Sequence, residues 1–206
     1  GLFAVDLWAK AQNCAVLEPE CIKRVSGALL AGQTVRYWSP WPVAGETPAG
    51  VEKADPPEAA DFALTLTPQG EALHLVPRIG VLGVGCRRGT TARQLEEAFA
   101  AFCAASGLSP AAVCAAASID LKKDEPGLAA FCKAHGWPIT FYPADELRAV
   151  PGQFTPSAFV ASVTGVDNVC ERSAVKASGG MLLLPKTAGG GVTLALAVRP
   201  FAPDWR

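Results

Sequence analysis

The chain has 206 residues, half of them apolar, and 18 Lys and Arg against 19 Asp and Glu give a formal net charge of −1. That apolar fraction supports a packed core and excludes a disordered chain. The near-zero charge excludes a nucleic-acid binder working through bulk positive charge, and no apolar run approaches the roughly 18 residues of a membrane-spanning helix.

Gly1, in place of an initiator methionine, reads as a processed N-terminus or a boundary, and Asp6 and Lys10 interrupt the opening too early for a signal peptide. Leu2 to Ala11 reads as a helix with Phe3, Leu7, Trp8 and Ala11 on its apolar side. A second helix is expected from Pro19 to Leu30, with Ile22, Val25 and Leu29 as its stripe and Gly32 at its end. Thr34 to Trp38 alternates as a short strand. From Ser39 to Ala60 the prolines and glycines read as a long loop, with Trp38 and Trp41 beside it as packing residues. Phe62-Leu64-Leu66 and Leu73-Leu75, around Pro68-Gln69-Gly70, carry a hairpin signal. Residues 1–78 are therefore expected to form an accessory lobe.

The apolar run Ile79 to Val84 reads as a buried strand ending in a turn built on Gly83, Gly85 and Gly89. Thr91 and Gln94 form a capping box that opens a helix with Leu95, Ala98, Phe99, Phe102 and Cys103 inward, stopping at Gly107. The turn is neither of two familiar nucleotide sites. A dinucleotide fingerprint needs glycine where Arg88 stands, and a P-loop needs lysine before Thr90-Thr91. Val113 to Ile119 is a strand, and Asp124 or Glu125 caps a helix that Gly136 ends. Ile139 to Tyr142 is a strand and Asp145 to Val150 a short helix. Thr155-Pro156 reads as the cap of a helix with Phe159, Val160 and Val163 inward. Asp167 opens another helix, closed by Gly179. Met181 to Leu184 and Val192 to Val198 are the last strands. Alternating strands and helices predict a three-layer α/β/α domain over residues 79–206, with a smaller N-terminal α/β lobe.

The seven cysteines show no Cys-x-x-Cys pair and no metal-ligand spacing. They read as reduced thiols of a cytoplasmic protein, without disulfide or zinc. His74 and His135 read as structural.

Strand-end loops of α/β sheets gather at one edge, so the loops 85–91, 120–127 and 164–172 should converge. They offer Cys86, Arg87, Arg88, Asp120, Lys122, Lys123, Asp124, Glu125, Asp167, Asn168, Glu171 and Arg172. The mixed charges fit a ligand with several carboxylates, handled by a residue that moves a proton. Cys86, beside two arginines at a helix start, is placed for a lowered thiol pKa or for simple packing, and no adjacent histidine completes a nucleophile–base pair.

These loops resemble the cobalamin-biosynthesis family CbiG. The resemblance is carried by Gly83-Val-Gly-Cys-Arg-Arg-Gly-Thr90, Ala117-Ser-Ile-Asp-Leu-Lys-Lys-Asp-Glu-Pro-Gly127, Phe154-Thr-Pro-Ser157 and Thr164-Gly-Val-Asp-Asn-Val-Cys-Glu-Arg172. It covers about residues 79–200, while Phe3-Ala-Val-Asp-Leu-Trp-Ala9 and the residues after it look like the end of the family's N-terminal region and its middle segment. It implies a cobalt-precorrin-5A hydrolase of anaerobic cobalamin synthesis, which opens a δ-lactone on the contracted macrocycle and releases acetaldehyde. On that reading Glu125, Asp120 and Glu171 are candidate bases, with Cys86 a further catalytic candidate. Arg87, Lys122 and Arg172 would meet carboxylates or the developing oxyanion, and the matched motifs add Gly83, Gly85, Thr90, Ser118 and Thr155 as substrate-binding positions. The cobalt belongs to the substrate, so no cofactor or protein-held metal is expected. The expected partners are the tetrapyrrole-derived corrinoid intermediate, neighbouring pathway enzymes and a second copy of the chain, with neither nucleic acid nor membrane. The same region resembles the single-domain protein CobE, which keeps open a corrinoid-binding or hand-over role without chemistry.

Overall fold

A computed structural model describes residues 1–206. The chain divides into two compact units: Gly1–Arg78 with Gly107–Ala112 and Phe201–Arg206, and Ile79–Ser106 with Val113–Pro200. A boundary at residue 78 thus leaves out two later segments that belong with the first unit. Their contacts explain why: Ser109 N–H donates to the Leu66 carbonyl at 2.8 Å, and the Trp205 ring stacks on Trp8 at 4.6 Å between centroids.

The first unit runs α1 (Val5–Ala11), β1 (Cys14–Val16), α2 (Ile22–Leu30), β2 (Val35–Trp38), β3 (Val51–Lys53), β4 (Phe62–Leu64) and β5 (Leu73–Pro77). Its sheet has the order β1-β5-β4-β2-β3, with only β1 antiparallel to its neighbour. The expected hairpin at 62–77 is absent, because β4 and β5 pair in parallel, Phe62 with Leu73 and Leu64 with Leu75. Every residue of both strands is buried, the pattern of parallel strands covered on both faces. The stretch expected as a loop, 39–60, also contains β3, which extends β2 in parallel. In α1 the buried residues are Val5, Trp8 and Ala9, spaced for one helical face. Leu7 falls on the other side and is exposed, against expectation. His74 is buried between Glu18 at 2.7 Å and the Gln69 carbonyl at 2.8 Å, a structural role.

The second unit runs β6 (Gly80–Cys86), α3 (Ala92–Ser106), β7 (Val113–Ile119), α4 (Pro126–His135), β8 (Ile139–Tyr142), α5 (Ala144–Arg148), α6 (Ala158–Thr164), α7 (Val169–Ser178), β9 (Met181–Gly189) and β10 (Val192–Val198). The sheet order is β8-β7-β6-β10-β9, with β6, β7 and β8 parallel and β10 and β9 antiparallel. Val81, Leu82 and Val84 are all fully buried, so β6 is covered on both faces. α7 lies on the Val81, Ala115 and Ala117 face, where Ala177 packs. α3 packs against α4 and meets β9 and β10. This is the three-layer α/β/α arrangement.

Several local expectations need correction. Gly83 and Gly85 belong to β6 rather than to the turn, and only Gly89 takes a positive φ, +75°. A Cβ on Gly83 would stand 1.8 Å from the Cys170 carbonyl oxygen, so this glycine lets α7 approach the sheet. The cap of α6 is Ser157, whose Oγ accepts Val160 N–H, because Thr155 turns its own polar groups to Glu171. The cap of α7 is Asn168, accepting Glu171 N–H at 2.9 Å, while Asp167 pairs with Arg172. On α6, Phe159 and Val163 face out, 73% and 63% exposed, rather than inward. The capping box of α3 is as expected: Thr91 N–H donates to Gln94 Oε1 at 2.9 Å and Gln94 N–H to Thr91 Oγ1 at 3.1 Å.

Candidate functional site

The C-terminal ends of β6 and β7 stop at one edge of the second unit's sheet, and the loops after them turn over it. There, with the start of α7 and strand β9, they enclose a cavity of about 1180 Å³. Residues of all three expected loops line it: Gly85 to Gly89 from the first, Lys122, Asp124 and Glu125 from the second, and Thr164, Asn168 and Val169 from the third.

The walls are apolar. Ile119, Leu121, Phe159, Val160, Val163 and Val192 all face the space, and Leu121 is 60% exposed. Four cations also line it, Arg87, Arg88, Lys122 and Lys186. The ion pairs of the chain involve none of them. The two acids are Asp124 and Glu125. Glu125 Oε2 accepts Gly89 N–H at 3.0 Å, which fixes the carboxylate against the turn and leaves Oε1 open to take a proton.

Cys86 ends β6 at the cavity wall, half-buried. Of its two readings, a lowered thiol pKa beside the arginines or simple packing, the environment favours the second, because the pKa is raised. Burial, the largest effect, pushes the Cys86 thiol upward, ahead of the nearby Lys122 charge that pulls it down, with smaller effects from Glu125, which raises it, and a Thr90 hydrogen bond, which lowers it. A protonated thiol is a poor nucleophile.

Other expected residues are held away from the cavity. Glu171 is 1% exposed, and its carboxylate accepts from Thr155 N–H (2.7 Å), Asn168 Nδ2 (2.6 Å), Lys186 N–H (2.7 Å) and Thr155 Oγ1 (3.2 Å). With its lone pairs occupied and no place in the lining, it is an internal clasp rather than a base. Arg172 is likewise committed. Its Nε donates to Asp167 at 2.9 Å, its Nη1 reaches the carbonyls of Leu147, Arg148 and Val150, and its guanidinium lies 4.6 Å from the Phe154 ring centre. Ser118 is fully buried and donates to the Val84 carbonyl at 2.6 Å. Thr90 is buried and donates to the Arg87 carbonyl at 2.7 Å, which shapes the turn. Gly83, Asp120, Lys123, Thr155 and Asp167 also lie outside the lining.

Sequence reasoning misses Lys186 and the apolar walls. Lys186 reads as part of a loop, whereas β9 runs through it to Gly189, with register shifts against β10 on either side of Leu184. The chain signals only the apolar start of that strand, Met181 to Leu184, and Pro185 reads as its end. Phe159 and Val163 read as core because a helical apolar stripe usually is.

The geometry defines an α/β domain with a cavity at its strand ends, apolar-walled and lined by four cations and two acids. Residues 80–197 match the family model described as cobalamin synthesis G C-terminus, and residues 3–81 match that of the cobalamin biosynthesis central region. The chain belongs to the CbiG family of cobalamin-biosynthesis proteins. It is 36% identical over 126 residues to the cobalt-precorrin-5A hydrolase of Priestia megaterium, which covers 61% of this chain and 33% of that protein. It is 37% identical over 124 residues to the Salmonella typhimurium enzyme of that name, covering 60% and 35%. The chain thus spans about a third of the length of these two curated relatives. It is also similar to the solved structure of CobE, a protein from the cobalamin (vitamin B12) biosynthetic pathway. There the identity is 32% and the TM-score 0.55, over 61% of this chain and 93% of that one.

Proposed function

We propose that this chain acts in the cytoplasm as a cobalt-precorrin-5A hydrolase, binding the contracted cobalt macrocycle in the strand-end cavity and opening its δ-lactone with release of acetaldehyde. The observation that carries the reading is the cavity itself: apolar walls beside four cations, none of them in an ion pair, against two acids. A macrocycle with apolar faces and a rim of carboxylates is complementary to both features. The metal arrives with this substrate, and the chemistry asked of the protein is that of water, acid and base.

Lactone opening needs a water activated for attack and a charge to meet the oxyanion that forms, and it leaves a carboxylate and an alcohol. Loss of the alcohol proton to a base then breaks the C–C bond to the macrocycle, which keeps the electron pair and takes up a proton as acetaldehyde leaves. Glu125 is the base in this scheme, since it lines the cavity with one oxygen anchored and the other open. Arg87, Lys122 and Lys186 supply the positive charge, to the carboxylate rim and to the developing oxyanion. Gly85 keeps the floor low, because a Cβ there would stand 2.3 Å from Thr193 Oγ1. Arg88, Asp124 and Asn168 complete the polar lining.

A second reading has its own support. The CobE likeness covers 93% of that structure, so the cavity-bearing unit alone corresponds to a nearly whole protein, and corrinoid binding or hand-over without chemistry would need no base. Incubation with cobalt-precorrin-5A under anaerobic conditions separates the two. Acetaldehyde release by this chain, or by the chain joined to the remainder of a full-length relative, supports the hydrolase. Tight corrinoid binding without acetaldehyde from either overturns it in favour of the carrier.

A further inference from the structure

α6 is an unusual wall element: none of its residues is buried. Val160 alone packs inward, against the cluster of Ile119, Leu147, Val166 and Val169. Phe159 and Val163, one helical turn apart, are left exposed at the mouth of the cavity. Large exposed apolar pairs are uncommon on a closed surface and mark places where something else completes the burial.

The helix is held chiefly at its two ends. At the far end Val166 is buried, and Arg148 Nη1 donates to the Gly165 carbonyl at 2.9 Å. At the near end Glu171 takes both the N–H and the hydroxyl of Thr155, while Asn168 Nδ2 donates to the Thr155 carbonyl at 2.8 Å. The same carboxylate accepts Lys186 N–H, so one buried group fixes the root of α6 and the cation-bearing strand together.

We propose that α6 is a lid that closes on the bound ligand through Phe159 and Val163, with Glu171 as the positioning residue at its root. This rests on the functional reading above, in that the occupant is the flat macrocycle whose carboxylates the four cavity cations attract. The lid then supplies the apolar contact to one face of the ring, and the cations read its rim. Glu171 touches no ligand and acts by holding Thr155 and Lys186 in register. Its replacement by glutamine sets a donor against a donor: the amide nitrogen must face either Thr155 N–H and Asn168 Nδ2 or Lys186 N–H.

Cobyrinic acid, a stable corrinoid with free carboxylates, serves as the probe, read by binding titration and by amide hydrogen exchange on the full chain. In the wild type, bound probe should slow exchange across residues 158–165. Phe159→Ser with Val163→Ser should weaken probe binding at least tenfold without lowering Tm, since both side chains are exposed. Glu171→Gln should speed exchange at the Thr155 and Lys186 amides at least tenfold, weaken the probe, and leave the amides of β6 protected. Should that variant fail to fold, Thr155→Val removes one of the four donors from an exposed residue, and should loosen the same amides to a smaller degree. If the wild type binds the probe, but the double serine variant binds it equally or α6 exchange does not change, the lid falls and the functional reading stands. If the wild type does not bind the probe, the functional reading falls and closure with it. Unchanged exchange at Thr155 and Lys186 in both clasp variants overturns the role of Glu171 in either case.

Discussion

At the scale of single residues, two arginines that look alike in sequence have opposite fates. Arg87 lines the cavity with no ion-pair partner, whereas Arg172 is tied to Asp167 and three carbonyls. A charge-assisted contact contributes about 1.5–3 kcal/mol, or roughly one to two decades of affinity. Arg87→Ala should therefore weaken corrinoid binding more than tenfold in a titration while leaving Tm unchanged. Arg172→Ala should lower Tm, by stripping partners from Asp167 and the end of α5, a loss visible without ligand. Glu125→Gln keeps the shape of the site and removes the proton acceptor. Binding should persist while acetaldehyde release falls about 100-fold or more. Turnover close to wild type in that variant would remove Glu125 as the base.

At the scale of elements, the site depends on how closely helices approach strands. α7 lies so near β6 that a methyl group on Gly83 would overlap the Cys170 carbonyl. Overpacking of this kind costs about 1–3 kcal/mol and often more where backbone is the obstacle. Gly83→Ala should thus lower the denaturation midpoint strongly, and should displace the start of α7 with Asn168 and Val169. α3 depends instead on its capping box, and Thr91→Ala should cost about 0.5–2 kcal/mol in a denaturant titration. Because Thr91 comes directly after the cavity turn, the fraying it causes should also be felt at Gly89, the donor to Glu125.

At the scale of the whole molecule, buried thiols make stability depend on alkaline pH. None of the seven cysteines is joined in a disulfide. Burial pushes Cys14 and Cys170 up to about 12 and Cys103 and Cys132 up to about 11, from an ordinary value of 9.0. The unfolded chain would lose these protons first, so the folded state holds more protons above pH 9. Stability from this source is whole at neutral pH and is lost as pH climbs from about 9 towards 12. Denaturant midpoints should hold between pH 7 and 8 and fall by pH 10. Replacing Cys14 and Cys170 with alanine should flatten that fall, even though the cavities left behind lower stability at every pH.

Much of the second unit is legible in the chain because its signals are local. The strand 113–119, the strand 139–142, the Thr91–Gln94 box and the glycines closing α4 and α7 come from residue order alone. The convergence of three loops comes from the general rule for strand ends in α/β sheets. Strand direction in the first unit is not legible: parallel or antiparallel pairing of β4 and β5 depends on which face each buried run meets, and both runs are buried throughout. Nor does residue type reveal which charges stay free. Glu171 and Arg172 differ from Glu125 and Arg87 only in what the fold places beside them, and burial turns a carboxylate or guanidinium toward the nearest partners. Residue order determined where the strand-end cavity would form, and tertiary packing decided which of its charges stayed out of ion pairs.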